Sequence, residues 1–255
     1  MILVLDVGNT HIVLGCVENG EISHVARMST QETRTVDEYA VAISQILALK
    51  GVDCTGFEGA VLSSVVPQVT EVLAQAVRLL TGCEVLTVGS GIKTGLNIRI
   101  DNPAQLGPDL VVGAVAALEL HKPPLILIDM GTATTFSVID ASGAFLGGAI
   151  VPGVGLSLDA LVARTSLLQK IPFEMPRRCI GSNTADCMKS GVVLGTVSML
   201  DGMIERIEEE LGAQATVIAT GGLASRIIPH CRHEILYDGD LLLKGLWAIY
   251  RKNHK

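Results

Sequence analysis

The stretch LVLDVGNTHIVLGCVENG at residues 3–20 returns as ILIDMGTATTFSVIDASG at residues 126–143. Asp6, Gly8 and Gly20 recur 123 positions later, without a gap, as Asp129, Gly131 and Gly143. Each copy is an apolar strand that delivers Asp-x-Gly into a tight turn, so the chain reads as two similar α/β halves. A carboxylate ending a buried strand is costly unless something charged compensates it. At the carboxyl end of a sheet strand, beside a glycine turn, it can hold a cation or position a phosphate. Gly8 and Gly131 lack Cβ, so backbone N–H groups there can approach an anion, and Thr10, Thr132, Thr134 and Thr135 add hydroxyl donors. Taken singly, either turn reads better as a hairpin whose Asp caps it. The recurrence, together with a third glycine turn at Thr220-Gly221-Gly222, favours two phosphate turns and a nucleoside turn. Such a set makes a nucleotide cleft between two halves.

The remaining pattern fits strands alternating with helices. Strands are expected at 2–6 and 11–17, turning at Asn19-Gly20. Thr35-Val36-Asp37-Glu38 is a capping-box pattern opening a helix with Val36, Tyr39, Ala40, Ile43 and Ile46/Leu47 on its apolar face, stopped at Gly51. A buried strand at 59–67 breaks at Pro67, a helix follows over about 68–81, and a short strand lies at 84–89. After an irregular stretch, 90–108, residues 109–120 read as a helix rich in small residues. His121-Lys122-Pro123-Pro124 punctuates the chain, and a seam near 119–124 divides it into 1–119 and 120–255. Strands at 125–129 and 134–140 turn at Ser142-Gly143. Leu200, Ile204, Ile207 and Leu211 mark an amphipathic helix over 196–211, and 215–225 is a buried strand running into the Gly-Gly turn.

Composition narrows the function classes. Hydrophobic residues make up 49% and aromatics 3%, so the core is aliphatic, as in strands buried on both faces. The formal charge of −7, with no basic cluster, argues against a nucleic-acid surface. The tail YRKNHK reads as a solvated end. The six cysteines form no CxxC pair and read as small core residues in a reducing compartment. HCRH at 230–233 is one short cluster without a distant partner, which is weak for a metal site. A signal peptide is not expected, because the start lacks a basic n-region and Asp6 interrupts its apolar run, and no uninterrupted apolar run of ~18 residues predicts a membrane span. A soluble, cytoplasmic protein is expected. Other nucleotide signatures fail: in GSGIKTG (89–95) Thr94 replaces a third glycine and Ile92 separates Gly91 from Lys93. PGVGLSLDAL (152–161) is a glycine turn entering a helix, an anion site or an ordinary loop. No Ser-His-Asp order appears, so a nucleotide cleft here would rely on Mg²⁺, backbone amides and carboxylates.

DVGNTHIVLG, SSVVP, DNPAQLGPDLV, DMGTATT, GGAIVPG and ATGGLA, in order along the chain, resemble type III pantothenate kinases, in the superfamily of acetate and sugar kinases. The resemblance implies two actin-like (ribonuclease H-like) α/β domains and ATP-dependent phosphorylation of pantothenate at its terminal hydroxyl, opening coenzyme A synthesis. It implies Mg²⁺, a monovalent cation (K⁺ or NH₄⁺) and a homodimer. By motif, Asp6, Val7, Gly8, Asn9, Thr10, His11, Ile12 and Val13 would surround the ATP phosphates, with Asp6 near Mg²⁺. Asp109 would be the catalytic base, and Gly107, Pro108, Asp109 and Leu110 would hold pantothenate. Asp129 would bind the monovalent cation, Thr132 the ATP, and Thr184 the substrate across the dimer interface, although the residues alone favour reading Thr184 as a helix-start residue. The family commonly has Tyr before DNP and Arg after the catalytic Asp; here those places hold Ile100 and Leu110. Arg99 neighbours Ile100, but strand alternation would point it the other way.

Two other functions use the same features. One is an actin-fold kinase or phosphatase acting on another small alcohol, acid or phosphate. The other is a regulatory binding protein without turnover; retention of Asp6, Asp109 and Asp129 argues against it, since a mere binder need not keep three costly carboxylates.

Overall fold

The computed structural model describes residues 1–254. They form two compact units that are not consecutive stretches of chain. One comprises Met1–Leu96, Asp101–Leu120 and the segment from Asp240 onward; the other comprises Asn97–Ile100 and His121–Gly239.

In the first unit, β1 (Ile2–Val7) has all six residues buried. It pairs antiparallel with β2 (His11–Glu18), which pairs with β3 (Glu21–Ser29). On its other side β1 pairs in parallel with β4 (Gly59–Ser64), which carries β5 (Val85–Thr87). The sheet order is therefore β3-β2-β1-β4-β5. Side chains alternate, so each strand feeds two layers. Leu3, Leu5, Val7, Ile12, Leu14, Ala60 and Leu62 pack with Tyr39, Ile43 and Leu47 of α1 (Val36–Leu49) and Leu73 and Val77 of α2 (Pro67–Thr81). The expected capping box opens α1: Thr35 accepts from the Glu38 amide, and Glu38 accepts from the Thr35 amide at 2.8 Å.

The opposite face is covered by α3 (Pro108–Leu120) and α8 (Leu241–Asn253), the elements between them being given below. Glycines let α8 sit down on the sheet. A Cβ on Gly15 would meet Leu243 Cδ1 at 2.9 Å, and one on Gly59 would overlap the Tyr250 ring. Gly245 lies against the Val112 carbonyl, and Glu119 pairs with Arg251 at 2.7 Å and Lys252 at 3.2 Å. These contacts fix direction. α8 ends near the start of β4, α3 runs alongside it, and the amino end of α3 therefore lies toward the carboxyl ends of β1 and β4. Residues 250–253 of the YRKNHK tail are thus not a solvated end: Lys252 donates to the Thr94 carbonyl at 3.2 Å, and Asn253 bonds both backbone groups of Lys93.

The second unit repeats the order. β7 (Leu125–Met130) pairs antiparallel with β8 (Ala133–Ile139), which pairs with β9 (Ala144–Pro152). β7 also pairs in parallel with β10 (Thr216–Thr220), which carries β11 (Leu236–Tyr237). β6 (Asn97–Ile98), from within the irregular 90–108 stretch, adds beyond β9. Ile126, Ile128, Met130 and Phe136 pack with Val197, Leu200 and Ile204 of α6 (Gly195–Leu211) and with Ile227 of α7 (Ala224–Ile227). Preceding α6 are α4 (Val154–Ala163), α5 (Thr184–Lys189) and a π-helical turn, Ser190–Leu194. The continuous helix Thr184–Leu211 is long and apolar enough to cross a membrane by length and composition, a span the sequence did not suggest. Its Val197, Leu200 and Ile204 belong to the core, which is what its apolar face serves here.

The two hairpins differ by one residue. Val7 pairs with Ile12 across a turn of residues 8–11, whereas Met130 pairs with Thr134 across 131–133. The gapless repeat thus slips at the second turn. Register returns in the third strand, where both units are irregular at equivalent residues: His24 has φ 50° and Gly147 φ 122°. The cysteines fit the core expectation only in part: Cys16 is buried, but Cys179 and Cys187 are exposed, and all six are free.

Candidate active site

In the first unit, Asp6 is the penultimate residue of β1, 9% exposed, with Val13 and Ser63 beside it in register on β2 and β4. The turn beyond it closes through the Gly8 amide to the His11 carbonyl at 3.0 Å. Thr30, just beyond β3, clamps it, its hydroxyl donating to the Gly8 carbonyl at 2.6 Å and its amide to the Thr10 carbonyl at 3.0 Å. Asn9, Thr10 and His11 are exposed, whereas Val7 and Ile12 give their side chains to the core, leaving only backbone for a ligand.

Odd-numbered residues of β1 face α1 and α2, so Asp6 and its register partner Ser63 face the α3 and α8 side. That side, at that end, is where α3 begins. Asp109 therefore lies at the same end and on the same face of the first sheet as Asp6. The Gly107 carbonyl accepts the Val111 amide, making Gly107 the cap; Asp109 is in the first turn, bonding the Leu110 amide at 2.9 Å. It is not an N-cap. A Cβ on Gly107 would lie 2.5 Å from Asp109 Oδ1, so glycine leaves room for the carboxylate. Burial raises the Asp109 pKa above the ordinary aspartate range, outweighing the backbone N–H bonds that lower it. A helix start by itself favours the ionised form; at Asp109 desolvation wins.

In the second unit, Asp129 is penultimate in β7 and half-buried, with Thr135 and Thr220 beside it in register. Its turn closes through the Gly131 amide to the Ala133 carbonyl at 3.0 Å. Two other segments press on that turn. Gly153 donates to the Thr132 carbonyl at 3.0 Å, so the amino end of α4, in the PGVG segment, abuts it. Gly221, at φ 98°, lies so close that a Cβ would meet Met130 backbone atoms at 2.6 Å. The Thr-Gly-Gly turn and the Asp129 turn are thus packed side by side.

Thr184 is exposed at the start of α5, capped by Asn183, whose Oδ1 accepts the Asp186 amide at 2.9 Å. Ile100 lies against Gly147, where a Cβ would approach its Cγ2 to 3.8 Å. Arg99 is 3.7 Å from Asp140 and thereby engaged locally. The HCRH segment serves structure: the Arg232 and His233 amides donate to Asp201, and His233 Nδ1 lies 3.0 Å from its Oδ1.

Among the described residues no three His, Cys, Asp or Glu gather to hold a metal. Asp6 offers one carboxylate with a serine beside it, a set suited to a hard cation that keeps its waters and takes further ligands from phosphate, as Mg²⁺ does. Asp129, Thr135 and Thr220 likewise offer only oxygen, which suits an alkali cation. Sequence reasoning missed Ser63, because only strand register puts it beside Asp6.

A family described as type III pantothenate kinase matches residues 2–206. Curated relatives with that name from Moorella thermoacetica and Halalkalibacterium halodurans are each 42% identical over 253 residues, covering 99% of this chain and 100% of the relative. Among solved structures, a Baf family transcriptional activator from Campylobacter jejuni aligns with TM-score 0.62 and 17% identity, over 98% of both chains. The activator of 2-hydroxyisocaproyl-CoA dehydratase from Clostridium difficile, with bound ADPNP, aligns with TM-score 0.51 and 13% identity, over 98% of this chain and 93% of that one. At these identities the structural likenesses speak for the fold alone.

Proposed function

Because the chain belongs to the type III pantothenate kinase family, we propose that its residues divide the phosphorylation of pantothenate by ATP between the two units. The fold is the actin-like α/β fold, and the activity is that of a kinase acting on an alcohol. The Asp6 turn, residues 6–13, takes ATP phosphates through its exposed amides and hydroxyls. The Asp129 turn, with Thr132, the amino end of α4 and the Thr-Gly-Gly turn, takes the rest of the nucleotide; amides at a helix start favour phosphate.

One observation carries the chemistry: Asp109 and Asp6 converge on one end and one face of the same sheet. Asp109 takes the proton of the pantothenate hydroxyl as its oxygen bonds the γ-phosphorus, and ADP leaves as the old P–O bond breaks. A raised pKa makes Asp109 a stronger base than an ordinary aspartate. Gly107 and Pro108 hold it in place, and Leu110 and Ile100 border the pantothenate end. Asp6 would hold Mg²⁺, which when bound neutralises charge on the transferring phosphoryl group. Asp129 would hold K⁺ or NH₄⁺. The free thiols support a reducing, cytoplasmic setting.

A homodimer completes the reading, with Thr184 reaching the neighbour's substrate. Its support is aliphatic side chains left exposed on the second unit: Ile150, Leu167 and Ile180 are 72%, 89% and 86% exposed. Purified protein given ATP, Mg²⁺ and K⁺ with a panel of small alcohols should phosphorylate pantothenate selectively. Turnover of another alcohol in its place would replace the substrate assignment. Light scattering should give twice the chain mass, falling to one chain in Ile150→Glu; a monomer with full activity would contradict the dimer.

A further inference from the structure

Ser63 is completely buried, and its hydroxyl has no hydrogen-bond partner. Buried hydroxyls are normally paired, so an orphan calls for a reason. Its neighbour has an ordinary one: Ser64 accepts from Thr70 at 2.8 Å and from the Val66 amide at 3.1 Å, closing the turn into α2. Ser63 instead stands in register with Asp6, on the face where α3 begins with Asp109. The second unit repeats the arrangement independently. Thr220 stands in register with Asp129 on the corresponding parallel strand, so each turn carboxylate has a hydroxyl residue at the same flank.

We propose that Ser63 is a positioning residue for the divalent cation at Asp6, its hydroxyl bonding a water of the cation's hydration shell. The inference rests on the kinase reading above and adds a residue to it. Mg²⁺ keeps several waters when a single carboxylate and phosphates supply its other ligands, and those waters need acceptors and donors from the protein. Groups that orient a metal's surroundings typically contribute 10–100-fold in metal affinity.

The test compares wild type, Ser63→Ala and Ser63→Thr by calorimetric titration with ADP, in Mg²⁺ and in EDTA, with thermal melts of the ligand-free proteins. Ser63→Ala should melt at or above the wild-type temperature, because it removes an unpaired buried hydroxyl. It should lose at least ~10-fold of the strengthening that Mg²⁺ gives to ADP binding, with binding in EDTA unchanged, and Ser63→Thr should restore most of it. The Mg²⁺ concentration for half-maximal turnover should rise in parallel. Mg²⁺-dependent binding within twofold of wild type in Ser63→Ala would overturn the proposal. Wild-type protein that binds no ADP with or without Mg²⁺ would instead overturn the kinase reading on which it stands.

Discussion

The two Asp-x-Gly turns share a scaffold and differ in what surrounds them. The Asp6 turn spans four residues and is clamped by Thr30; its carboxylate is nearly buried, beside an unpaired serine and near the start of α3. The Asp129 turn is one residue shorter, half-buried, flanked by two threonines and pressed by Gly153 and Gly221. The two carboxylates hold equivalent places in their sheets, and on the proposed reading their neighbours separate their work. The first turn gathers the charged groups that chemistry needs. The second is a rigid, hydroxyl-lined seat that suits binding.

That division can be broken by exchanging losses. Asp6→Asn should lower kcat by ~10³-fold or more and raise the Mg²⁺ requirement, because charge on the transferring group goes uncompensated. Asp129→Asn should spare more activity and act selectively: the rate advantage of K⁺ or NH₄⁺ over Na⁺ should vanish. Equal salt responses in wild type and Asp129→Asn would erase the distinction between the turns.

The rigidity of the second seat is separately measurable. Gly221→Ala combines positive φ with a collision against the Met130 backbone and should cost roughly 2–5 kcal/mol in denaturant unfolding. An unchanged unfolding midpoint would mean that the Thr-Gly-Gly turn is not held against the Asp129 turn. The smallest effect belongs to the substrate end. Leu110→Arg, restoring the family's usual polar group beside Asp109, should lower KM for pantothenate by up to ~10-fold with kcat nearly unchanged. A KM that rises would mean that Leu110 and Ile100 have built a different pocket.

Much of this was legible from residues. Strands buried on both faces, β1, β4, β7 and β10, announce themselves as apolar runs, and the Thr35-Glu38 capping box names its helix to the residue. β3 and β9 lie farther out: β3 has no clean alternation, and β9 alternates in exposure while its residues, AFLGGAIVP, do not alternate in polarity; β6 and β11 are two residues long, too short for periodicity. The return of α8 to the first unit depends on Gly15, Gly59 and Gly245 as landing places; glycine is visible in a sequence, its partner is not. The orphan state of Ser63 likewise exists only once register is set. For Asp109, the helix start is legible in the residues and the raised pKa is not, because burial is a property of the packed unit.

The account turns on Asp109 as the base, and Asp109→Asn tests it most directly. Asparagine keeps the oxygen that bonds the Leu110 amide but cannot take a proton. Because burial raises the aspartate's folded pKa, its ionisation costs stability as pH rises from the ordinary aspartate range through the raised value. The variant should therefore melt higher than wild type at pH 7, with the gain shrinking as pH falls toward the unfolded value. Single-turnover phosphorylation by this folded, ATP-binding variant should be at least ~10²-fold slower than wild type, and the acid limb of the wild-type pH–rate profile should lie above the ordinary aspartate pKa. Near-normal turnover in Asp109→Asn, with the same acid limb, would contradict the assignment.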